Sequence, residues 1–396
     1  MKIGIIGLGY VGLPLAISAA QSGYTVVGID LNRELVKSVN NGKSHVLGVR
    51  DKDISNQIIS GNFLASNNFS ALTDVECIVI SVPTPLNKSS KPDLSFLEDA
   101  AKKISKIMQK GCLIILESTV EPGTTRDFLL PILMEGSDLN QKEFDLVFSP
   151  ERIDPGNKDW TLRNTPKIVA GLTDAAKIRA IKFYSKFIDT IIECKSIEVA
   201  ETAKLLENSF RLINISFVNE LAIFCQKMNI EVNEVIDVAA TKPYGFMSFY
   251  PSLGVGGHCI PIDPIYLLNK SKSINTPLTL IEQSVRVNNG MVSYFVHRIT
   301  DLLGNLDGKK ILCIGISYKP NVPDIRESSS IHLIEELQSQ GAEVFWHDDI
   351  VGVWNGTKSV PISSKYDLAI LATKHNGLLL KNLGNVKLLD ASKSSL

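Results

Sequence analysis

The segment that most narrows the fold is Gly7-Leu8-Gly9-Tyr10-Val11-Gly12, which directly follows the apolar run Lys2-Ile-Gly-Ile-Ile6 and opens a stretch of helical spacing. Glycines at 7 and 9 permit a tight turn and the close approach of a bulky anion. Glycine at 12 lets a helix lie against a strand, and the helix amino terminus offers unpaired N–H groups to the anion. A pyrophosphate suits this arrangement. Asp30 closes the next apolar run, 18 residues past Gly12; a carboxylate there accepts from ribose hydroxyls and repels a 2′-phosphate. The pattern predicts a dinucleotide site at Gly7, Gly9, Tyr10, Val11, Gly12 and Asp30, with NAD favoured over NADP. Arg33 falls either beside the adenine or on the exposed start of the next helix.

The same rhythm continues along the chain. KIGIIG (2–7), YTVVGID (24–30), CIVISV (77–82), CLIILEST (112–119) and FDLVFS (144–149) read as buried parallel strands, with segments of helical length between them. Near 198 the period changes. Apolar residues at 199, 203, 206, 210, 213, 217, 221 and 224 recur every three or four positions, which predicts one helix of about thirty residues with a buried stripe. A second helical region covers 276–303, and the Gly-, Pro- and Tyr-rich stretch 241–264 reads as a structured loop. From 309, KKILCIGIS, AEVFWHD and YDLAILAT predict three more buried strands. The expected fold is α/β: two Rossmann-like doubly wound domains joined by a long central helix and a helical middle domain. The expected boundaries are 1–195, 196–303 and 304–396, and 396 residues are enough for such a division.

A formal net charge of −1 speaks against nucleic acid or an anionic membrane as partner. Glycines at 4, 7, 9 and 12 and Pro14 break up the first apolar run, so it reads as a nucleotide loop rather than a secretory leader. No stretch reaches the roughly 18 uninterrupted apolar residues of a membrane span. The six cysteines show neither a CxxC pair nor zinc spacing, so neither a disulfide framework nor a metal site is expected, and a reducing cytosol is.

Most of the cysteines sit in apolar runs, but Cys259 lies in Tyr250-Pro-Ser-Leu-Gly-Val-Gly-Gly-His-Cys259-Ile-Pro-Ile-Asp263. Gly254, Gly256 and Gly257 let the backbone wrap an anion. A thiol in such a polar loop is either a nucleophile or an inert side chain in a turn. Asp263 is placed to act as a base or to orient water. On the long helix, Glu201, Lys204, Asn208 and Arg211 share one face. That face is either solvated or, through Lys204 and Asn208, able to hold an oxyanion.

At this point the chain resembles the UDP-glucose/UDP-mannosaminuronate dehydrogenase family over nearly its whole length. The resemblance is carried by GLGYVGLPLA at the first loop, SVPTP (81–85), ESTVEPGTT (117–125), SPER (149–152), ETAKLLENSF (201–210), GVGGHCIPIDP (254–264) and YKPNVPDIRESSS (318–330). It implies that Cys259 is the nucleophile and that Lys204, Asn208 and Asp263 surround the reacting carbon. It implies that Thr119 and Glu151 order the water and the alcohol, and that Thr84 and Thr119 touch NAD. By the same resemblance Lys319 contacts the UDP-sugar, Arg326 reaches the dinucleotide, and loop 250–257, with Tyr250, wraps sugar and phosphates. The implied reaction oxidises a UDP-sugar primary alcohol to a carboxylate through a cysteine thiohemiacetal and thioester. Such products feed surface polysaccharide, and a homodimer or higher homo-oligomer is expected. The chain departs from the family where many members carry, shortly before the cysteine loop, an arginine lent to the neighbouring subunit's sugar-phosphate site; here Ala-Thr-Lys242-Pro-Tyr-Gly stands, leaving Lys242 or Arg286 for that contact.

Arg152, directly after Glu151, resembles the branch acting on UDP-N-acetylhexosamines, where it would bond the acetamido carbonyl; the alternative is an ion pair that holds the loop. The combination DPGN with HCIPIDP resembles the UDP-N-acetylglucosamine enzymes more than the UDP-N-acetylmannosamine ones, while UDP-glucose stays a third candidate. Two rival readings are a hydroxyacid-type dehydrogenase and a non-catalytic NAD-binding regulator. The cysteine loop and the second α/β region oppose the first. The joint presence of Lys204, Asn208, Cys259 and Asp263 opposes the second.

Overall fold

Short apolar runs that end in a tight turn become the strands of two sheets in the computed structural model, which describes residues 1–154 and 156–394. Pro155 of the DPGN stretch lies outside the described residues. One unit comprises Met1–Leu206 and Ile265–Ser273, the other Glu207–Pro264 and Ile274–Leu396.

In the first unit the strands are β1 (Lys2–Ile6), β2 (Thr25–Ile29), β3 (Phe63–Ser66), β4 (Cys77–Ile80), β5 (Leu113–Leu116), β6 (Asp145–Phe148), β7 (Lys167–Gly171) and β8 (Ile191–Glu193). They form one sheet in the order β3-β2-β1-β4-β5-β6-β7-β8. All pairings are parallel except β6 with β7. Side chains alternate between two cores. Ile3, Ile5, Cys77, Val79, Leu113 and Ile115 face one; Ile6, Ile78, Ile80, Ile114, Leu116 and Phe148 face the other. Two covered faces are why these runs are apolar at every position. The expected doubly wound α/β class is thus the observed one.

β3, β7 and β8 had no counterpart among the expected strands, and each departs from that rule. β3 and β8 lie at the sheet edges and keep exposed positions. β7 opens with a charged residue, Lys167, that is nonetheless buried.

The central helix spans Ile197–Lys227, 31 residues as expected, but its faces are reversed. Val199, Leu206, Phe210, Phe217 and Phe224 of the expected buried stripe are exposed, Phe217 at 61% and Phe224 at 58%. Glu201, Lys204 and Asn208, on the polar face, are buried. Only Arg211 of that face is exposed. Periodicity marks two chemically distinct sides of a helix; it does not say which one the chain's own core takes. Here the core takes the side on which Glu201, Lys204 and Asn208 stand among Ile197, Leu205, Leu212 and Val218.

In the second unit the strands are β9 (Lys310–Ile314), β10 (Glu343–His347), the short antiparallel pair β11 (Val353–Trp354) and β12 (Thr357–Lys358), β13 (Leu368–Leu371) and β14 (Lys387–Asp390). The main sheet runs β10-β9-β13-β14, all parallel. Helices Thr279–Leu303 and Ser329–Ser339 share a core with one face of it through Phe295, Ile299, Leu333 and Leu337.

The two sheets repeat one device. β1 ends at Gly7 (φ +89°) and β9 at Gly315 (φ +83°). Gly7 N–H donates to Ile29 O at 2.8 Å, and Gly315 N–H to His347 O at 2.7 Å. A Cβ on Gly7 would stand 2.5 Å from Ser81 O, and one on Gly315 would stand 2.0 Å from Thr373 O. Positive φ and a backbone wall thus both demand glycine. Gly315→Ala should lower the stability of the protein by at least about 2 kcal/mol. Gly352→Ala, whose Cβ would meet nothing within 4 Å, is the control. Equal denaturant midpoints for the two variants would refute this account of the turn.

Candidate active site

The glycine loop of the first unit fits a dinucleotide. A Cβ on Gly12 would lie 1.7 Å from Gly7 O, so the helix Gly12–Gln21 can approach β1 only through glycine. Gly9 faces open space, with nothing within 4 Å of its Cβ position, which leaves its backbone bare to an incoming group. Val11 is the residue before the helix and offers no side-chain cap. Tyr10 packs partly against the core beneath. Asp30 Oδ2 accepts from Leu8 N–H at 3.0 Å, and Oδ1 accepts from Asn32 N–H at 2.9 Å. That carboxylate lines a cleft of about 270 Å³ with Gly7, Leu31, Asn32, Val82 and Pro83. Arg33 is exposed at the start of its helix and does not line the cleft.

Two loops that follow β4 and β5 meet beside this cleft. Thr84 Oγ1 donates to Thr119 O at 2.8 Å, Ser118 Oγ donates to Val82 O at 2.7 Å, and Tyr266 OH donates to Thr84 O at 2.7 Å. The Thr119 loop is anchored further on by Glu201. Its carboxylate accepts from Gly123 N–H at 2.6 Å, Thr125 N–H at 3.0 Å and Thr125 Oγ1 at 2.6 Å. Burial outweighs these donors and pushes Glu201 up to about 7.

Glu151 belongs to a buried cluster that sequence reasoning missed. Lys167 Nζ stands 2.9 Å from Glu117 Oε1 and 3.2 Å from Glu151 Oε2. Tyr184 OH donates to Glu117, and Lys167 lies 5.0 Å from the centre of the Tyr184 ring. Glu151 Oε1 accepts from the N–H groups of Arg152 (2.7 Å) and Ile153 (2.8 Å). Burial pushes Glu151 up, but the Lys167 charge and these amides more than offset it and hold it below the ordinary carboxylate range. Burial dominates at Glu117, which is raised. Lys167 is pushed down by burial but ends raised by its two carboxylates. The members lie far apart in sequence, and no local pattern joins them. Arg152 donates from Nη1 to Pro166 O at 2.7 Å, so at least part of its guanidinium holds the loop.

In the second unit Cys259 is exposed, whereas four of the other five cysteines are buried and none of the six forms a disulfide. Its carbonyl accepts from Asp263 N–H at 2.8 Å and Ile262 N–H at 3.2 Å, which starts the helix Asp263–Ser273 one turn beyond the thiol. Asp263 is buried, and Asn208 Nδ2 donates to its Oδ2 at 2.6 Å. An acid at a helix start is also favoured by the helix dipole. Lys204 lies one turn before Asn208 on the central helix and belongs to the first unit.

The glycine-rich loop packs on the YKPN and DIRE stretches. A Cβ on Gly257 would lie 2.7 Å from the Tyr318 ring, and one on Gly256 would lie 2.5 Å from Glu327 O. Gly257 N–H donates to Arg326 O at 3.0 Å, and Val255 N–H to Asn288 Oδ1 at 2.8 Å. Burial, then the Arg326 charge, pushes His258 down, so the residue before the thiol is neutral. Gly254, Gly256, Tyr318, Ser328 and Lys374 line a cavity of about 240 Å³ at the amino end of helix Ser329–Ser339. The Ser328 hydroxyl is buried there without a hydrogen-bond partner. Lys319 is half-buried in the adjoining turn. Arg326 grips Asp324 with Nε at 3.0 Å and Nη2 at 2.6 Å. Tyr250 OH donates to Asp237 at 2.7 Å. Lys242 lies over the Tyr244 ring and Arg286 pairs with Glu282; neither marks a phosphate site within the chain.

Successive segments of the chain match known domains. Residues 1–188, 198–290 and 312–389 match, in order, the NAD binding, central and UDP binding domains of the UDP-glucose/GDP-mannose dehydrogenase family. Protein CapL of Staphylococcus aureus is 36% identical over 353 residues, 88% of this chain and 82% of that protein. The UDP-N-acetyl-D-glucosamine 6-dehydrogenase of Salmonella typhi is 35% identical over 394 residues, 95% of this chain and 90% of the relative. The solved structure of a UDP-D-ManNAc dehydrogenase from Pyrococcus horikoshii superposes with a TM-score of 0.92 at 30% identity, over 100% of this chain and 96% of that one.

Glu201 makes a pH signature. Its folded pKa, about 7, exceeds the ordinary 4.5, so the folded state holds the proton more tightly than the unfolded chain. The group's contribution is therefore fully present below about pH 4.5 and is lost as pH rises to about 7, a change of about 3 kcal/mol. Glu201→Gln should remove that slope: between pH 5 and pH 8 its denaturant midpoint should gain on that of the wild type. Parallel midpoints across this range would show that Glu201 is ionised throughout.

Proposed function

We propose that this chain, which belongs to the UDP-glucose/GDP-mannose dehydrogenase family, oxidises C6 of a UDP-N-acetylhexosamine, UDP-N-acetylglucosamine above all, to the uronic acid. It is an NAD-dependent UDP-sugar dehydrogenase; the particular sugar and the residue roles below are the proposal. The observation that carries it is the exposed Cys259 thiol one helical turn before the buried Asp263–Asn208 pair. This part of the chain offers both a nucleophile and a fixed polar partner set.

Gly7–Gly12 and Asp30 would hold NAD, which would supply the hydride acceptor for each oxidation. Asp263 holds or moves the alcohol proton. Cys259 adds to the resulting aldehyde, and the thiohemiacetal is oxidised to a thioester that water cleaves. Lys204 and Asn208 donate to the oxyanions, a role typically worth roughly 3 kcal/mol per donor. Glu151, ionised and with both oxygens already engaged, serves as a fixed acceptor that orients water with Thr119. Thr84 and Arg326 serve the dinucleotide. Lys319, the 250–257 loop with Tyr250, and the glycines 254, 256 and 257 serve the nucleotide sugar. The division at 1–195, 196–303 and 304–396 assigns cofactor, chemistry and UDP to successive parts of the chain.

The exposed row Phe210, Phe217, Phe224 and Met228 supports a homodimer, since a second copy would cover it. Lys242 and Arg286 stay the candidates for a contact to the neighbour's phosphates. Free cysteines support a reducing compartment, the cytosol. Among the described residues no helix is long and apolar enough to cross a membrane.

A panel of UDP-sugars with NAD, followed by NADH release, tests the reading. Cys259→Ser should retain less than about a hundredth of complete turnover, because serine is a poor nucleophile at neutral pH. Full release of both NADH equivalents by this variant would end the covalent route. For substrate choice, Arg152→Ala should lower kcat/KM for UDP-N-acetylglucosamine about ten- to hundredfold, and for UDP-glucose far less. An equal loss for both sugars with a lower melting temperature would assign Arg152 wholly to the loop through Pro166.

A further inference from the structure

The shared strand-end device carries one further assignment. After β2 comes Asp30; after β10 comes Asp348. Asp30 Oδ2 accepts from Leu8 N–H, the residue after Gly7, at 3.0 Å; Asp348 Oδ2 accepts from Ile316 N–H, the residue after Gly315, at 2.9 Å. Asp30 Oδ1 accepts from Asn32 N–H, two residues on, at 2.9 Å; Asp348 Oδ1 accepts from Ile350 N–H, two residues on, at 3.0 Å. The two acids occupy the same place in their sheets.

Their surroundings then diverge. Asp30 lines an open cleft. Asp348 is buried and also accepts from Ser317 N–H at 3.2 Å and Val351 N–H at 2.9 Å. Against it lies the buried ring of His375, whose Nε2 is 3.1 Å from Asp348 Oδ1. On the other side of the ring, Nδ1 accepts from Asn321 N–H at 2.9 Å. A nitrogen that accepts from an amide carries no proton, so the proton sits on Nε2 and points at Asp348. The ring therefore links the β10 acid to the far end of the turn Ser317–Asn321. Thr373 Oγ1 donating to Ser317 O (2.8 Å) and Asn376 N–H donating to Asn321 Oδ1 (2.9 Å) complete the frame, and Asn321 holds φ +62° within it. Lys319 stands in the middle of this turn, and Tyr318 lines the cavity under the glycine-rich loop.

We propose that His375 is a positioning residue for nucleotide-sugar binding: as the neutral Nε2–H tautomer it fills the place where the first unit opens to a ribose, and it fixes the Ser317–Asn321 turn that presents Tyr318 and Lys319. The proposal rests on the reading of the second unit as the UDP-sugar side. It also explains why the acid of this unit does not take a ribose: every one of its acceptor directions is already used inside the protein.

The test measures UDP binding and NAD binding by calorimetry on the full chain, together with KM for the UDP-sugar. An asparagine at 375 keeps a δ-position acceptor for the Asn321 amide; a glutamine keeps the donor to Asp348 but loses that acceptor. His375→Gln and His375→Ala should weaken UDP binding by about tenfold or more, with NAD affinity within about twofold of wild type. His375→Asn should recover most of the loss, and the sugar KM should follow UDP affinity while kcat moves little. If the alanine variant fails to fold, the asparagine–glutamine comparison decides alone. UDP affinity equal to wild type in both would overturn the proposal, as would equal losses of UDP and NAD binding in every variant. Wild-type protein that binds no UDP would instead overturn the functional reading on which the proposal rests.

Discussion

Burial of Glu201, Lys204 and Asn208 along one side of the central helix is the constraint from which much of the molecule follows. A buried carboxylate without a counter-ion costs several kcal/mol unless donors replace its water. Gly123 and Thr125 supply three. The loop that carries Thr119 is therefore held to the helix, not merely near it, and Thr119 is held in turn to Thr84. Asn208 does the same for Asp263 in the other unit. The side so held also buries Leu205, Leu212 and Val218, and the opposite stripe, with Phe217 and Phe224, stands exposed.

Most strands were legible because a parallel strand covered on both faces must be apolar throughout. β1, β2, β4, β5, β6, β9, β10 and β13 all lie inside the runs that the sequence shows. The edge strands β3, β8 and β14 were not, because an edge releases that demand; β10, also at an edge, was legible because Val344, Phe345 and Trp346 keep an apolar run. The burial of the helix stripe was misread for a related reason: an amphipathic period reports a difference between faces, not the identity of what covers them. In the site, motifs whose members are neighbours in sequence were readable, such as Gly7–Gly12 with Asp30 or Cys259 with Asp263. Lys167 with Glu117 and Glu151, and His375 with Asp348, were not, since the partners meet only through strand order.

The two sheets show how one backbone solution supports two uses. A glycine with positive φ, an amide beyond it and an acid at the end of the neighbouring strand recur in both. What differs is the set of groups against the acid: Ser317 N–H, Val351 N–H and one side chain from the loop after β13. With no imidazole against it, Asp30 faces a cleft; with His375 against it, Asp348 becomes part of the frame. Under the proposal above, ligand choice at such strand ends is set less by the shared turn than by what a third strand's loop places beside it.

Burial raises the pKa of Cys77, Cys112, Cys194, Cys225 and Cys313, and Cys259 alone is exposed. The thiol inventory is therefore sharply unequal. An alkylating electrophile in the surrounding solution meets essentially one exposed thiol, the one proposed above as the nucleophile. Under that proposal, damage is not spread over many sites with partial loss at each; a single adduct would silence a whole chain while leaving its cores intact. Population activity under electrophilic stress would then fall as the fraction of chains hit, and a reducing agent that restores one sulfur would restore a whole enzyme.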